Sequence, residues 1–197
     1  MGSNLVMKKI ILPDSEIYLV NINNFTEHLN LKLFLQKTEF RSDRFKIFGK
    51  EFSQPRNVAF YSNKGITYKY SNILMHGKPY FKELLLLKEI VEFYTCYNFN
   101  SILINVYRNG HDYMGAHSDN EKELGEEPFI ASLSLGASRD FILINKKDKK
   151  HKLSLELKTG DLLIMKGKTQ AYWNHCLPKR TKVKDYRINL TFRSIYL

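Results

Sequence analysis

From Ser101 onward the chain is a succession of short apolar segments, and this feature constrains its fold more than any other. The segments read SILINVY, FIASLSLG, DFILIN, KLSLEL, DLLIMK, AYWNHC and RINLTFRSIYL. Each has the length of a strand and is rich in Ile, Leu, Val, Phe and Tyr. Asn109-Gly110, Gly136 and Thr159-Gly160-Asp161 supply turn chemistry between them. In KLSLEL, Leu153, Leu155 and Leu157 alternate with Lys152, Ser154 and Glu156, the period-two pattern of a half-buried strand. Many short strands at this spacing close into a sandwich or barrel.

The first half reads differently. Thr26-Glu27 opens an apolar-periodic stretch that predicts a helix to about Lys37, and PYFKELLLLKEIVEFYTCY predicts another over about 80–95. Short apolar strands are expected at Ile10 to Leu12 and at Ile17 to Val20. The predicted class is therefore α+β, with helices first and a jelly-roll sandwich from about residue 100 to 197. No repeat and no Pro- or Gly-rich linker divides the 197 residues. One domain over 25–197 is expected, preceded by a lead-in over 1–24. The longest aliphatic run is Leu84 to Leu87, too short to span a bilayer, and no secretory signal is visible. Two cysteines, Cys96 and Cys176, are too few for a disulfide scaffold and fit a reducing compartment. A soluble intracellular monomer, cytoplasmic or nuclear, is expected.

His117-Ser118-Asp119 is an H-x-D pair. On a strand, residues i and i+2 share a face, so both side chains can reach one ion. Two histidines and a carboxylate make the facial triad of non-haem Fe(II) oxygenases, which leaves open coordination positions. His175, in a predicted strand, is the natural third ligand. His28, His76, His111 and His151 have no comparable partner and are expected at the surface.

Further along, Arg187-Ile188-Asn189-Leu190-Thr191-Phe192-Arg193 puts polar residues at every second position. It could be an amphipathic edge strand with arginines in solvent. It could equally be a carboxylate receptor, because the guanidinium fork matches a carboxylate in bidentate fashion. Asn105 and Tyr107 repeat the spacing just before the metal pair.

The order N-x-Y, H-x-D, H, then R-x-N-x-T-x-R resembles the AlkB family of Fe(II)- and 2-oxoglutarate-dependent dioxygenases, over about Phe45 to Ile195 and closest to members that repair alkylated bases in DNA. The resemblance implies a double-stranded β-helix, with a nucleotide-recognition region at about 40–75. It implies that His117, Asp119 and His175 hold Fe(II), and that Arg187, Asn189, Thr191, Arg193, Asn105 and Tyr107 hold 2-oxoglutarate, with O2 as the co-oxidant. Phe48, with Gly49 and Lys50, matches the hairpin whose apolar side chain enters the base stack. Such a wedge fills the gap that an extracted base leaves. Arg56, Tyr68 and Tyr70 match positions near the flipped base. Asn120 stands where many relatives carry a second Asp that contacts it.

The formal charge of +11 fits a nucleic-acid partner. Lys146 to Lys152 and Lys179 to Lys184 are basic runs suited to phosphates. The implied reaction is oxidative demethylation of bases such as N1-methyladenine and N3-methylcytosine in DNA, with RNA a further polymer. The rival readings are a 2-oxoglutarate oxygenase acting on RNA or protein, and a non-catalytic basic jelly-roll module.

Overall fold

The computed structural model describes residues 6–41, 44–47, 50–53, 55–70 and 73–196. Strands β1 (Lys8–Ile10) and β2 (Glu16–Asn21) lead into helices α1 (Asn23–Thr26) and α2 (Leu31–Lys37). Two hairpins flank β5 (Asn57–Ser62): β3 (Arg44–Ile47) with β4 (Lys50–Ser53), and β6 (Thr67–Tyr70) with β7 (Ile73–His76). Helix α3 (Lys82–Thr95) follows. The strands of the second half are β8 (Ser101–Tyr107), β9 (Met114–His117), β10 (Ile130–Gly136), β11 (Arg139–Asn145), β12 (Lys152–Leu157) and β13 (Asp161–Lys166). The short helix α4 (Thr169–Tyr172) then precedes β14 (Trp173–Leu177) and β15 (Arg187–Arg193).

Among the described residues, seven strands form an antiparallel sheet in the order β1-β2-β13-β10-β15-β8-β5. A second sheet runs β12-β11-β14-β9. One face of the larger sheet packs on α2 and α3 through Ile102, Ile104, Leu133, Ile188, Leu190, Phe34, Leu84, Leu87 and Val91. The other face meets the smaller sheet, where Leu103, Leu163, Met165, Phe141, Leu143 and Trp173 form the sandwich interior. The larger sheet is thus covered on both sides, which is why β8 is buried at every position while β12, at the edge of the smaller sheet, alternates. This is the jelly-roll core expected from the strand pattern.

One detail differs from the sequence reading. The single helix expected from Thr26 is two, because Asn30 caps a new start by accepting a hydrogen bond from Leu33 N at 3.0 Å. Strands β1 and β2 extend the larger sheet beyond β13, and Trp173 Nε1 donates to Pro13 O at 2.8 Å. These are the two short strands expected near Ile10 and Ile17, and they join the larger sheet. Trp173 is a core residue, and its one polar atom is satisfied. No helix among the described residues is long and apolar enough to cross a membrane.

Candidate metal and carboxylate site

His117 is the last residue of β9, and Asp119 lies just beyond the strand end. The H-x-D pair is therefore a strand terminus and a turn, not two positions on one strand face. β9 pairs with β14, and His117 sits directly opposite His175. One ligand atom from each of His117, Asp119 and His175 lies within 4.8 Å of the others. The two imidazole centroids are 4.3 Å apart. His117 Nε2 stands 3.9 Å from Asp119 Oδ1, too far for a hydrogen bond, which leaves space for a cation between them.

The remaining contacts aim these groups. His117 Nδ1 lies 2.9 Å from Gly115 O, a contact made by the Nδ1–H tautomer, which leaves the Nε2 lone pair free for a ligand bond. Phe141 stacks on the His175 ring at 5.2 Å. Burial, reinforced by neighbouring His117, pushes His175 down to about 3, so its ring is neutral at physiological pH. Burial alone would raise the Asp119 carboxyl. Arg193 first, then His175 and His117, outweigh that and hold it below the usual carboxylate range. Asp119 Oδ2 accepts from Arg193 Nη2 at 2.9 Å, while Asp119 Oδ1 is buried with no hydrogen-bond partner. A buried carboxylate oxygen left empty costs free energy. Two imidazoles and this oxygen are the donor set that Fe(II) takes, so the residues fit the metal.

The R-x-N-x-T-x-R strand is not at an edge. β15 lies between β10 and β8, and Arg187, Asn189, Thr191 and Arg193 all turn into the cavity that holds the metal residues. Asn105 and Tyr107 of β8 line the same cavity, opposite Asn189 and Arg187 in register. Asn189 Nδ2 donates to Ser132 Oγ at 2.7 Å, and Thr191 Oγ1 donates to Asn189 Oδ1 at 3.1 Å. Arg187 is 2% exposed and donates to Ser134 Oγ at 2.8 Å and to Leu157 O at 3.3 Å. No carboxylate among the described residues lies within ion-pair distance of it, and its Nε is buried without a partner. Burial lowers its pKa to about 10, which still leaves it charged at neutral pH. A buried cation without an anion is costly. Arg56, Arg187 and Arg139, opposed by the one carboxylate Asp112, also act on the buried Tyr107 hydroxyl, so positive charge is in excess at this end of the cavity. It fits a small dicarboxylate.

The residues expected at the base fall out unevenly. Arg56 is buried, and its Nε donates to Asn105 Oδ1 at 2.7 Å, at the back of the carboxylate pocket. Tyr68 is fully buried, packed on Phe60 at 5.7 Å and under the Arg193 guanidinium. Asn120 is exposed. Phe48 and Gly49 lie outside the described residues, as do the side chains of Lys50 and Tyr70. His28, His76, His111 and His151 are exposed, as expected. Glu121 was not singled out, yet it turns inward against the Tyr68 hydroxyl, two residues past Asp119. Burial, then Asp119, raises its pKa. The visible signal was its carboxylate at the spacing-two position after a metal ligand. Gln170 and Lys146, which hold the ligand loop, had no local signal.

Comparison with known proteins decides the family. The 2OG-Fe(II) oxygenase superfamily pattern matches residues 22–193. The chain belongs to this superfamily. Within it the chain is an AlkB-family member. DNA oxidative demethylase ALKBH2 of Arabidopsis thaliana is 35% identical over 98% of this chain and 67% of that protein. Human DNA oxidative demethylase ALKBH2 is 40% identical over 78% of this chain and 62% of its own length. Alpha-ketoglutarate-dependent dioxygenase alkB homolog 3 of Bos taurus is 42% identical over 74% and 53%. This AlkB-family chain thus spans between about half and two-thirds of the length of its mammalian relatives. The solved structure of OsALKBH1 covers 96% of the chain with a TM-score of 0.66 at 16% identity, which shows a shared fold.

Proposed function

We propose that this AlkB-family chain is an oxidative dealkylase of N-alkylated bases in DNA. The observation that carries the reading is one cavity holding two imidazoles, an Asp119 oxygen with no hydrogen-bond partner and, among the described residues, a buried arginine with no carboxylate at ion-pair distance. His117, Asp119 and His175 would hold Fe(II), and Arg187 would take one carboxylate of 2-oxoglutarate. With O2, these cofactors supply oxidation of an N-alkyl carbon, 2-oxoglutarate leaving as succinate and CO2.

The chain's own residues do the rest. Arg193 holds Asp119 Oδ2, so that Oδ1 is the carboxylate oxygen left for the metal. Asn105, Tyr107, Asn189 and Thr191 set the polar lining around the cosubstrate. Phe141, Met114 and Leu177 line the same cavity and keep water from the reacting centre. N1-methyladenine and N3-methylcytosine are cationic, and the Glu121 carboxyl group, two residues past Asp119 and beside Tyr68, is a candidate to offset that charge.

The assignment to DNA is supported by the names of the similar proteins and by the charge of +11. It is also supported by two exposed basic stretches beside the site. Lys146 reaches Ser118 in the ligand loop, and Lys147, Lys149 and Lys150 extend from it into solvent. The run from Lys179 follows β14, and Lys179 lies over the exposed Tyr113 ring at 4.9 Å.

The test is a panel of oligonucleotides carrying N1-methyladenine or N3-methylcytosine, as DNA and RNA, single- and double-stranded. The expected result is loss of the methyl mass from DNA, with formaldehyde and succinate in equal amounts and only when Fe(II) and 2-oxoglutarate are present. Turnover on RNA or protein alone would keep the chemistry and move the substrate. Salt-sensitive binding with no turnover would favour the non-catalytic module. In the same assay Phe48→Ala should slow duplex substrates several-fold more than single strands, because only a duplex needs the wedge. Equal losses on both would remove that role from Phe48.

A further inference from the structure

The contacts that hold Asp119 in place come from a different part of the chain from the ligand loop. Asp119 N donates to Gln170 Oε1 at 3.0 Å, and Gln170 is 1% exposed. Gln170 O accepts from Lys146 Nζ at 2.7 Å. Lys146 Nζ also donates to Ser118 Oγ at 2.9 Å. These bonds close a ring: Ser118-Asp119 to Gln170, Gln170 to Lys146, and Lys146 back to Ser118.

The ring is anchored on regular structure. Gln170 lies in α4, whose buried Thr169 accepts from Glu16 N at 2.9 Å and donates to Lys166 O at 2.6 Å. Lys146 follows β11, and its own N–H donates to Tyr172 O at 2.8 Å. Just past α4, β14 carries His175. The ring therefore joins the Ser118–Asp119 segment, just past His117, to the segment that carries His175.

The need for such a device follows from the strand end. His117 is fixed by β-pairing with β14, but Asp119 has left the ladder and would otherwise be free to swing. Arg193 holds its carboxylate from one side. The backbone requires its own fixed point, since a carboxylate tethered only at its tip still lets the chain beneath it move.

Resting on the metal reading above, we propose that Gln170 and Lys146 are positioning residues. They brace the Ser118–Asp119 turn against α4 and so set the register of Asp119 Oδ1 against the two imidazoles. Neither touches the metal. Their effect passes through Asp119 N–H and Ser118 Oγ. Outer partners of metal ligands typically change metal affinity by about 10–100-fold when removed.

The experiment titrates Co(II) alone into the metal-free full chain and reads visible absorption, with circular dichroism as the check on folding. Wild type is expected to take up one Co(II), and Asp119→Ala none. Folded Gln170→Leu should bind about 10–100-fold more weakly and give a shifted absorption band, because the ligand set is the same but its geometry has relaxed. Lys146→Met sits at a half-buried position and keeps the test decisive if Gln170→Leu does not fold. Its affinity should fall by a factor near the lower end of that range, again with a shifted band. The double variant should lose less than the product of the single losses, because both residues brace one turn. A folded single variant with wild-type affinity and spectrum would overturn the positioning role and leave the metal site standing. Failure of the wild type to bind Co(II) would refute the metal reading itself, and the brace with it.

Discussion

Asp119→Ala is expected to abolish turnover and to reduce metal affinity by more than the roughly hundredfold that loss of an outer partner can cost. Asp119 Oδ1 is the carboxylate oxygen in the ligand trio and is buried with nothing to bond to in the protein alone. Two imidazoles then remain, too few to hold Fe(II) against solvent. The same substitution removes the anion that faces the buried Arg193 guanidinium at 2.9 Å. Breaking a buried ion pair by deleting one member costs up to about 3–5 kcal/mol. At roughly 2–4 °C per kcal/mol for a domain of this size, the metal-free protein should melt visibly earlier. Asp119→Asn separates the two effects. It preserves the side chain's shape and its contact to Arg193 through a carbonyl oxygen, so it should melt closer to wild type while remaining equally inactive. An active Asp119→Asn protein would mean that the acid is structural.

Arg187→Met should have effects of opposite sign on stability and on cosubstrate binding. Arg187 is a buried cation with no carboxylate at ion-pair distance among the described residues, lowered to about 10 by burial but still charged. In the protein alone it is a liability, and replacing buried charge by an apolar side chain of similar length is often neutral or stabilising. The melting temperature of the unliganded variant is therefore expected to be unchanged or higher. Binding of 2-oxoglutarate reverses the balance, because the carboxylate and guanidinium satisfy each other. Truncating one partner of a buried charge pair costs about 2 kcal/mol or more, which is roughly a 30-fold loss of affinity at the least. A ligand at a hundred times its Kd stabilises its protein by about 2.7 kcal/mol. Wild type should show that thermal upshift with 2-oxoglutarate, and Arg187→Met should lose it at the same concentration. A variant that melts earlier alone yet keeps the full upshift would place the cosubstrate elsewhere.

Much of this was legible because strands repeat every two residues. R-x-N-x-T-x-R shows a polar face in any register, and its partner positions Asn105 and Tyr107 fall opposite it for the same reason. What the period could not show was that β15 lies in the middle of the larger sheet, where its arginines are buried rather than solvated. His117 and Asp119 are recognisable by type and spacing, although the strand that carries His117 ends there, two residues short of Asp119. Long-range contacts left no local trace. Arg56 meets Asn105, Gln170 meets Asp119, and Lys146 meets Ser118 only because β-pairing brings distant segments together. Tyr68, matched to a position near the flipped base, is buried against Phe60 and under Arg193, a packing that its strand spacing does not reveal. The split between α1 and α2 was hidden because Leu29 and Leu33 keep a helical spacing across the break at Asn30.

One cation and one keto acid are expected to share this cavity. Anomalous diffraction from crystals grown anaerobically with Fe(II) and 2-oxoglutarate measures that directly. The expected result is a single iron peak bonded to His117 Nε2, Asp119 Oδ1 and a nitrogen of His175, with the far carboxylate of 2-oxoglutarate on the Arg187 guanidinium. An iron peak at other residues, or a filled metal site with Arg187 still facing no anion, would contradict it.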